Sequence, residues 1–328
     1  MPGYGMLSHV GISFQNSFGT SSVASMMWHK VITESLTQNI PALIPEGMNG
    51  LFDERNAHEG PQDIVGDIVT EVHPILIGQI LQAWSNASSD VTLNDSAYEH
   101  TKNPATSDFD QYAAVKPVTI EAYRDAGSAF LYSDMLCNAF SIEIANGVLH
   151  KVTASWIGGK FALASKSTPS YIPASDFEWS QSCITFQDSA GGSQIAANGL
   201  MNITISGNNN LENKYTLNGT KTPSHTKRAG RRTMELAGTI LFSNQDEYNK
   251  FKDFEAHRVT IRTEGQDASS GYPTFLQFDN PRVMYNDHPV NIGGQGLHEV
   301  SFSSRIEYSA DSGTMSTITL QNTMSFVG

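Results

Sequence analysis

The chain has 328 residues, enough for two domains at ~100–200 residues each, and either half is long enough to bury its own core. Hydrophobic residues make up 39% and charged residues only 16%, against roughly 25% charged in an average soluble protein; Ser, Thr, Asn and Gly carry the polar remainder, which points to a β-rich protein with much of its surface against other protein. The formal charge of -13 and a pI near 5.1 argue against a surface that grips a phosphate backbone, since that needs a positive potential.

The opening residues show neither a basic stretch nor an apolar core of signal-peptide length, and no run approaches the ~18 apolar residues of a membrane span. A product that stays in the cytoplasm in which it is made, with no membrane partner, is therefore expected. Strand-like alternation begins at Asp63–Glu71, where Ile64 and Ile68 fall on one face and Asp63, Asp67 and Glu71 on the other. Pro74 to Trp84 reads as a helix, with Pro74 suited to the first helical position and Ile77, Ile80, Leu81 and Trp84 in one stripe. Residues 85–112 are polar and read as an excursion loop. Alternation returns in Phe140–Ile144, with Glu143 on its polar face, and in Val152–Trp156. Ser167-Thr-Pro-Ser-Tyr-Ile-Pro173 is linker-like and places a boundary between Ser165 and Asp176. Met201–Ile205 reads as a strand. Asn244 to His257 reads as a second helix, with Ser243 and Asp246 as its cap and Tyr248, Phe251 and Phe254 about one turn apart. Gly293, Gly294 and Gly296 form a hairpin turn, followed by strands over Leu297–Tyr308 and Ser316–Leu320.

The two helices lie in matching surroundings. Gly66-Asp-Ile-Val69 precedes the first and Gly238-Thr-Ile-Leu241 the second, while Leu149-His-Lys-Val-Thr153 has a counterpart in Leu297-His-Glu-Val-Ser301. This order implies a tandem duplication: a mostly β (α+β) chain with domains 1–166 and 167–328, each with one helix. From Gly66 to His150 is 84 residues and from Gly238 to His298 is 60, so the first copy holds extra length, assigned to 85–112.

Signatures of chemistry are missing. The ten histidines show no HExxH or HxH spacing; His58 beside Glu59 and Gly60 comes nearest to a cluster, in a turn-rich loop. No GxSxG elbow or Walker-type loop occurs, and the glycines at 293–296 precede a strand, whereas a phosphate cradle needs a helix N-terminus. Cys137 and Cys183 are not in a CxxC pair and read as two buried thiols. No catalytic residue, cofactor or metal is assigned. Two distant carboxylates could still meet as a glycosidase pair, so a β-sandwich glycan hydrolase stays as the least favoured alternative.

Several segments carry a resemblance: Phe18-Gly-Thr20, Ile32-Thr-Glu-Ser35, Gly60 to Glu71, His73 to Leu81, Leu211-Glu-Asn213, Asn218-Gly-Thr220, Gly238 to Phe242 and Ile318 to Asn322. In order and spacing they resemble the tail tube proteins of long-tailed bacteriophages, of the larger type with two tube domains in one chain. The resemblance implies β-sandwich domains, each flanked by a helix, in rings that stack into a hollow non-contractile tube through which DNA is ejected. A duplicated chain implies trimeric rings with pseudo-sixfold symmetry. It also implies a virion protein, assembled in the host cytoplasm, with the tape measure protein, tail terminator and distal tail protein as partners. Another phage virion β-protein, such as a tail terminator, decoration protein or adhesin, is the alternative.

A conduit for DNA should not bind it, and an acidic wall repels the polyanion over about 8–10 Å at ordinary salt. Asp63, Asp67, Glu71, Glu143 and Glu235 are the candidates for such a wall, with Glu235 and Thr239 placed opposite the first-copy acids by the glycine alignment; an ordinary solvated outer face is the competing reading. One basic cluster, Lys221, Lys227, Arg228, Arg231 and Arg232, breaks the acidic trend. Its counterpart loop in the first copy holds Asp53, Glu54 and Glu59, so unlike copies could meet through opposite charge between subunits; a nucleic-acid patch is the other reading. On the inter-subunit reading, reversing Arg231 and Arg232 impairs assembly without unfolding the chain.

Overall fold

A computed structural model describes the chain except for residues 1–2, 48–52, 54, 86–88, 95–96, 105–116, 189–194, 197–198, 244, 270, 291–296 and 326–328. The turn at 293–296 and Glu54 lie outside the described residues. The first half runs β1 (His9–Phe14), β2 (Met27–His29), β3 (Val31–Glu34), β4 (Thr37–Asn39), β5 (Ala42–Leu43), β6 (His58–Glu59) and β7 (Asp63–Glu71). Helix α1 (Leu76–Ser85) follows, then β8 (Ser89–Asn94), β9 (Ala97–Thr101), β10 (Val118–Tyr123), β11 (Ala129–Ala145), β12 (Lys151–Gly158) and β13 (Lys160–Ala164). The second half runs β14 (Ser182–Asp188), β15 (Ile195–Ala196), β16 (Leu200–Asn208), β17 (Leu211–Lys214), β18 (His225–Arg228) and β19 (Thr233–Leu241). After α2 (Asp246–Lys252) come β20 (His257–Ser269), β21 (Tyr272–Asp287), β22 (Glu299–Ile306) and β23 (Thr317–Asn322).

Each half is a sandwich turned at one long corner strand. The first part of β11 joins β10 and β13, and past a bulge at Cys137/Ala139 the strand continues between β12 and β16. Strand β21 likewise joins β20 and β23 before a bulge at Tyr285/Asp287 and pairs with β22 around it. Bulges bend a strand and sharpen its twist, which lets one strand serve two sheets.

The halves repeat one pairing diagram. Glu71 pairs with Lys151 and Leu241 with Glu299, which sets β7 against β19 at an offset of 170 residues and β12 against β22 at 148. The helices start at the same offset of 170, at Leu76 and Asp246. Three bulges recur at equivalent places: Val31/Thr33 and Leu200/Asn202, Val118/Ile120 and His257/Val259, and Cys137/Ala139 and Tyr285/Asp287. Gly66 and Gly238 are therefore not equivalent; the glycine alignment is slipped by two residues. A slip of two keeps every side chain on its own face, so Glu235 corresponds to Val65, still on the face of Asp63 and Asp67.

Between α1 and β10 the first half holds 31 residues more than the second, since the offset falls from 170 at the helix to 139 at β10. Within it Ser89–Asn94 and Ala97–Thr101 pair as β8 and β9 and are not the loop expected, while 86–88, 95–96 and 105–112 of that expected loop lie outside the described residues; β9 pairs with β23, joining the first half to the C-terminal strand. One apolar core runs through both halves, including Trp84, Phe140, Ile142, Ile205, Leu236 and Phe278.

Helix α1 is buried along its whole length. Its first turn is capped by His73, whose Nδ1 accepts from the Ile75 and Leu76 amides at 3.2 and 3.4 Å. Helix α2 is shorter than expected. Asp253 ends it, Phe254 turns into the left-handed region (φ 56°), and His257 already belongs to β20. Ser243 is not its cap, since Gln245 holds that position without a side-chain bond. Acidic Asp246 and Glu247 in the first turn and Lys250 and Lys252 in the last oppose the helix dipole instead. Of the cysteines, Cys137 is buried, with its thiol pushed up by desolvation, whereas Cys183, on β14, is exposed and so departs from the buried thiol expected.

Candidate functional site

The inner strands of both halves merge into one sheet, in the order β3/β4, β7, β12, β11, β16, β19, β22 and β21. The join is made by β11 and β16, in register from Ala139 opposite Asn208 to Ala145 opposite Asn202. On one face Ile64, Ile68, Val152, Ile142, Ile205 and Leu236 enter the core. The other face is polar, because every strand alternates with a period of two.

Rows across the sheet define that polar face. One row reads Glu71, Lys151, Glu143, Thr204, Ala237, Ser303 and Asp287. The next reads Val69, Thr153, Ser141, Ser206, Glu235 and Arg305, and a third Asp67, Ser155, Ala139, Asn208 and Thr233. Asp63, opposite Asn39, and Glu299, opposite Leu241, lie on the same side. All five acids singled out from the sequence thus share one continuous face, which carries seven carboxylates (Asp63, Asp67, Glu71, Glu143, Glu235, Asp287, Glu299) against Lys151 and Arg305. Sequence reasoning missed Asp287 and Glu299; strand parity from Ser301 and Ser303 would have found the second. Between the charges the face is lined mostly by small hydroxyl and amide side chains, with Val65, Val69, Ala139 and Ala237 among them. A shallow hollow of about 280 Å³ between Ser141, Thr153, Ser155, Ser206 and Glu235 holds one carboxylate, not the facing pair that glycoside hydrolysis uses.

The expected charge contacts divide into three kinds. Lys221 Nζ meets Glu59 Oε2 at 2.5 Å, and the Gln62 amide donates to the Lys221 carbonyl at 2.7 Å, so the acidic loop of the first half and the basic loop of the second touch within one chain. Arg228 and Arg232 are turned inward: Arg232 Nε donates to Asn209 Oδ1 at 2.8 Å and Arg228 Nε to the Asn209 carbonyl at 3.2 Å. Arg232 also lies over the Trp84 ring at 5.2 Å, and burial first, then Arg228, lowers its pKa to about 10. Lys227, Arg231 and Asp53 are exposed.

This division refines the charge-reversal expectation. Arg231→Glu should leave the melting temperature within about 1–2 °C, as an exposed surface change does, whereas Arg232→Glu should lower stability by about 1–3 kcal/mol by unpairing buried Asn209. Thermal unfolding followed by circular dichroism checks this, and equal shifts for the two would refute it.

Among the described residues no group of three or more His, Cys, Asp or Glu side chains is placed to hold a metal ion, and no helix is long and apolar enough to cross a membrane. His58 is exposed. Compared with known families, the chain matches the family described as phage tail tube protein over residues 5–306. No curated protein matches it.

Proposed function

The chain belongs to the phage tail tube protein family, a structural component of the virion and not a known enzyme family, and from that premise we propose that it forms stacked rings around a lumen through which DNA is ejected. The continuous acidic sheet face carries this reading. A wall of carboxylates, hydroxyls and amides repels phosphate and offers no array of cations to condense on it, so a duplex passes without neutralising contacts. The tube is non-contractile and assembled in the host cytoplasm, with the tape measure protein, tail terminator and distal tail protein as partners at its ends.

Residues 1–166 and 167–328 each act as one tube domain. Their shared pairing diagram supports a trimeric ring with pseudo-sixfold symmetry, because each chain supplies two copies of the same unit.

Negative-stain micrographs of the concentrated protein test the assembly: rings or tubes of uniform width with a central channel are expected, and compact monomers at every concentration would overturn it. The lumen assignment has its own test. Glu71→Lys with Glu143→Lys and Glu235→Lys should leave tubes intact but make them retain duplex DNA at low salt in a co-sedimentation assay, with release as salt rises. Tubes that ignore DNA after all three changes would place this face elsewhere.

A further inference from the structure

Helices α1 and α2 start at equivalent points yet end in opposite environments. Counted at the common offset of 170, Phe254 stands where Trp84 stands in the first half. Trp84 is 0% exposed and Phe254 is 67% exposed. Trp84 sits at the join of the two halves: it packs on Phe140 and on Gly207 of β16, Arg232 covers it, and Asn209 Nδ2 donates to its carbonyl at 2.9 Å. Phe254 has Arg305 over its ring at 5.4 Å and otherwise faces out. It also holds φ 56°, a backbone region that bulky side chains rarely occupy and that tends to mark functional positions.

The opposite end of the inner sheet has the matching vacancy. In the join, β11 is met by β16 and then by Asn209; the counterparts of these in the first half are β3–β4 and Ile40, at an offset of 169. Among the described residues no strand lies on the other side of that edge, since β3 and β4 pair only with β7, and Ile32, Ile40, Leu43 and Ile44 around it are exposed. Repeating the internal join once more sets Asp287 of one copy opposite Asn39 of another, as Ala139 stands opposite Asn208.

We propose that Phe254, with the exposed side of α2, is a knob that docks on the Ile40 edge of a second copy of this chain, making between chains the join that Trp84 makes within one. The inference rests on the ring reading above and adds the occupant and the direction: the contact is head-to-tail, so each copy offers one knob and one socket. An aromatic anchor at the centre of such a contact carries much of its energy.

Two variants test it. Asn tolerates the left-handed region better than Phe, so Phe254→Asn should keep or raise the melting temperature while weakening association about tenfold or more. Ile40→Asp should do the same from the socket side. Mixed in equal amounts, the two variants retain one working joint between them, and sedimentation velocity should show a two-chain species and nothing longer. Wild-type assembly by either variant alone, or a mixture that stays monomeric, would overturn the proposal. Wild-type rings that never stack would end the tube reading and leave this joint standing; tubes formed equally by both variants would do the reverse.

Discussion

Replacing Lys102 by alanine is expected to cost about 3–5 kcal/mol of unfolding free energy, the range for removing one partner of a buried ion pair. Lys102 is fully buried; its Nζ lies 3.3 Å from Gln82 Oε1 on α1 and 3.6 Å from Asp90 Oδ1 on β8. Asp90 in turn meets His100 Nδ1 of β9 at 2.9 Å, and His100 Nε2 meets Asn322 Oδ1 of β23 at 3.1 Å. Asn322 Nδ2 then donates to the Pro74 carbonyl at 3.1 Å. One polar network therefore ties the first helix, the β8–β9 hairpin and the C-terminal strand together. Without the ammonium, the Asp90 carboxylate stays buried with a weaker set of partners, and desolvation is no longer offset. Urea unfolding of Lys102→Ala measures the loss. Lys102→Met with Asp90→Leu should recover part of it, because a well-packed apolar pair removes the stranded charge. A loss below about 1 kcal/mol would mean that the pair behaves as an exposed one.

The same network explains why this hairpin was not legible in the sequence. Asp90, His100 and Lys102 look like the polar face of a loop, and the partner that completes them, Asn322, lies 222 residues beyond His100. Strand β7 was legible because its alternation is local, and helix α1 because its apolar stripe is. Helix α2 reads longer in the sequence than it is, since Tyr248, Phe251 and Phe254 are spaced as a helical stripe although Phe254 has already left the helix. The order of the repeat could be read, but its register could not: glycines at 66 and 238 align by eye, and a period of two hides any even slip. The acidic face was half legible. Parity placed Asp63, Asp67 and Glu71 together, whereas bringing Glu143 and Glu235 beside them depends on β11 meeting β16, a pairing that no local pattern announces. Arg232 read as surface charge because stacking on Trp84 leaves no mark in the sequence around it.

Truncating Trp84 to alanine should be the other severe change, about 3–5 kcal/mol, the cost of deleting a large aromatic from a packed core. Its ring meets Phe140 edge-on at 4.7 Å between centroids and lies against Gly207, where a Cβ would come within 2.5 Å of the indole. Gly207 is therefore required by close approach, and Gly207→Ala alone should cost about 1–3 kcal/mol through overpacking. Combined with Trp84→Ala, the added methyl enters the space the indole has left, although the Phe140 ring remains 2.6 Å from it. The double variant should then be more stable than the sum of the two losses allows, by at least about 0.5 kcal/mol, the lower end of coupling between residues in contact. Additive losses in chemical unfolding would show that the helix and β16 do not bear on one another. Coupling would locate the bond between the two halves at this ring, and the contrast with Phe254→Asn follows from it: the same position in the repeat governs stability where its neighbour is in the same chain, and association where the neighbour is another copy.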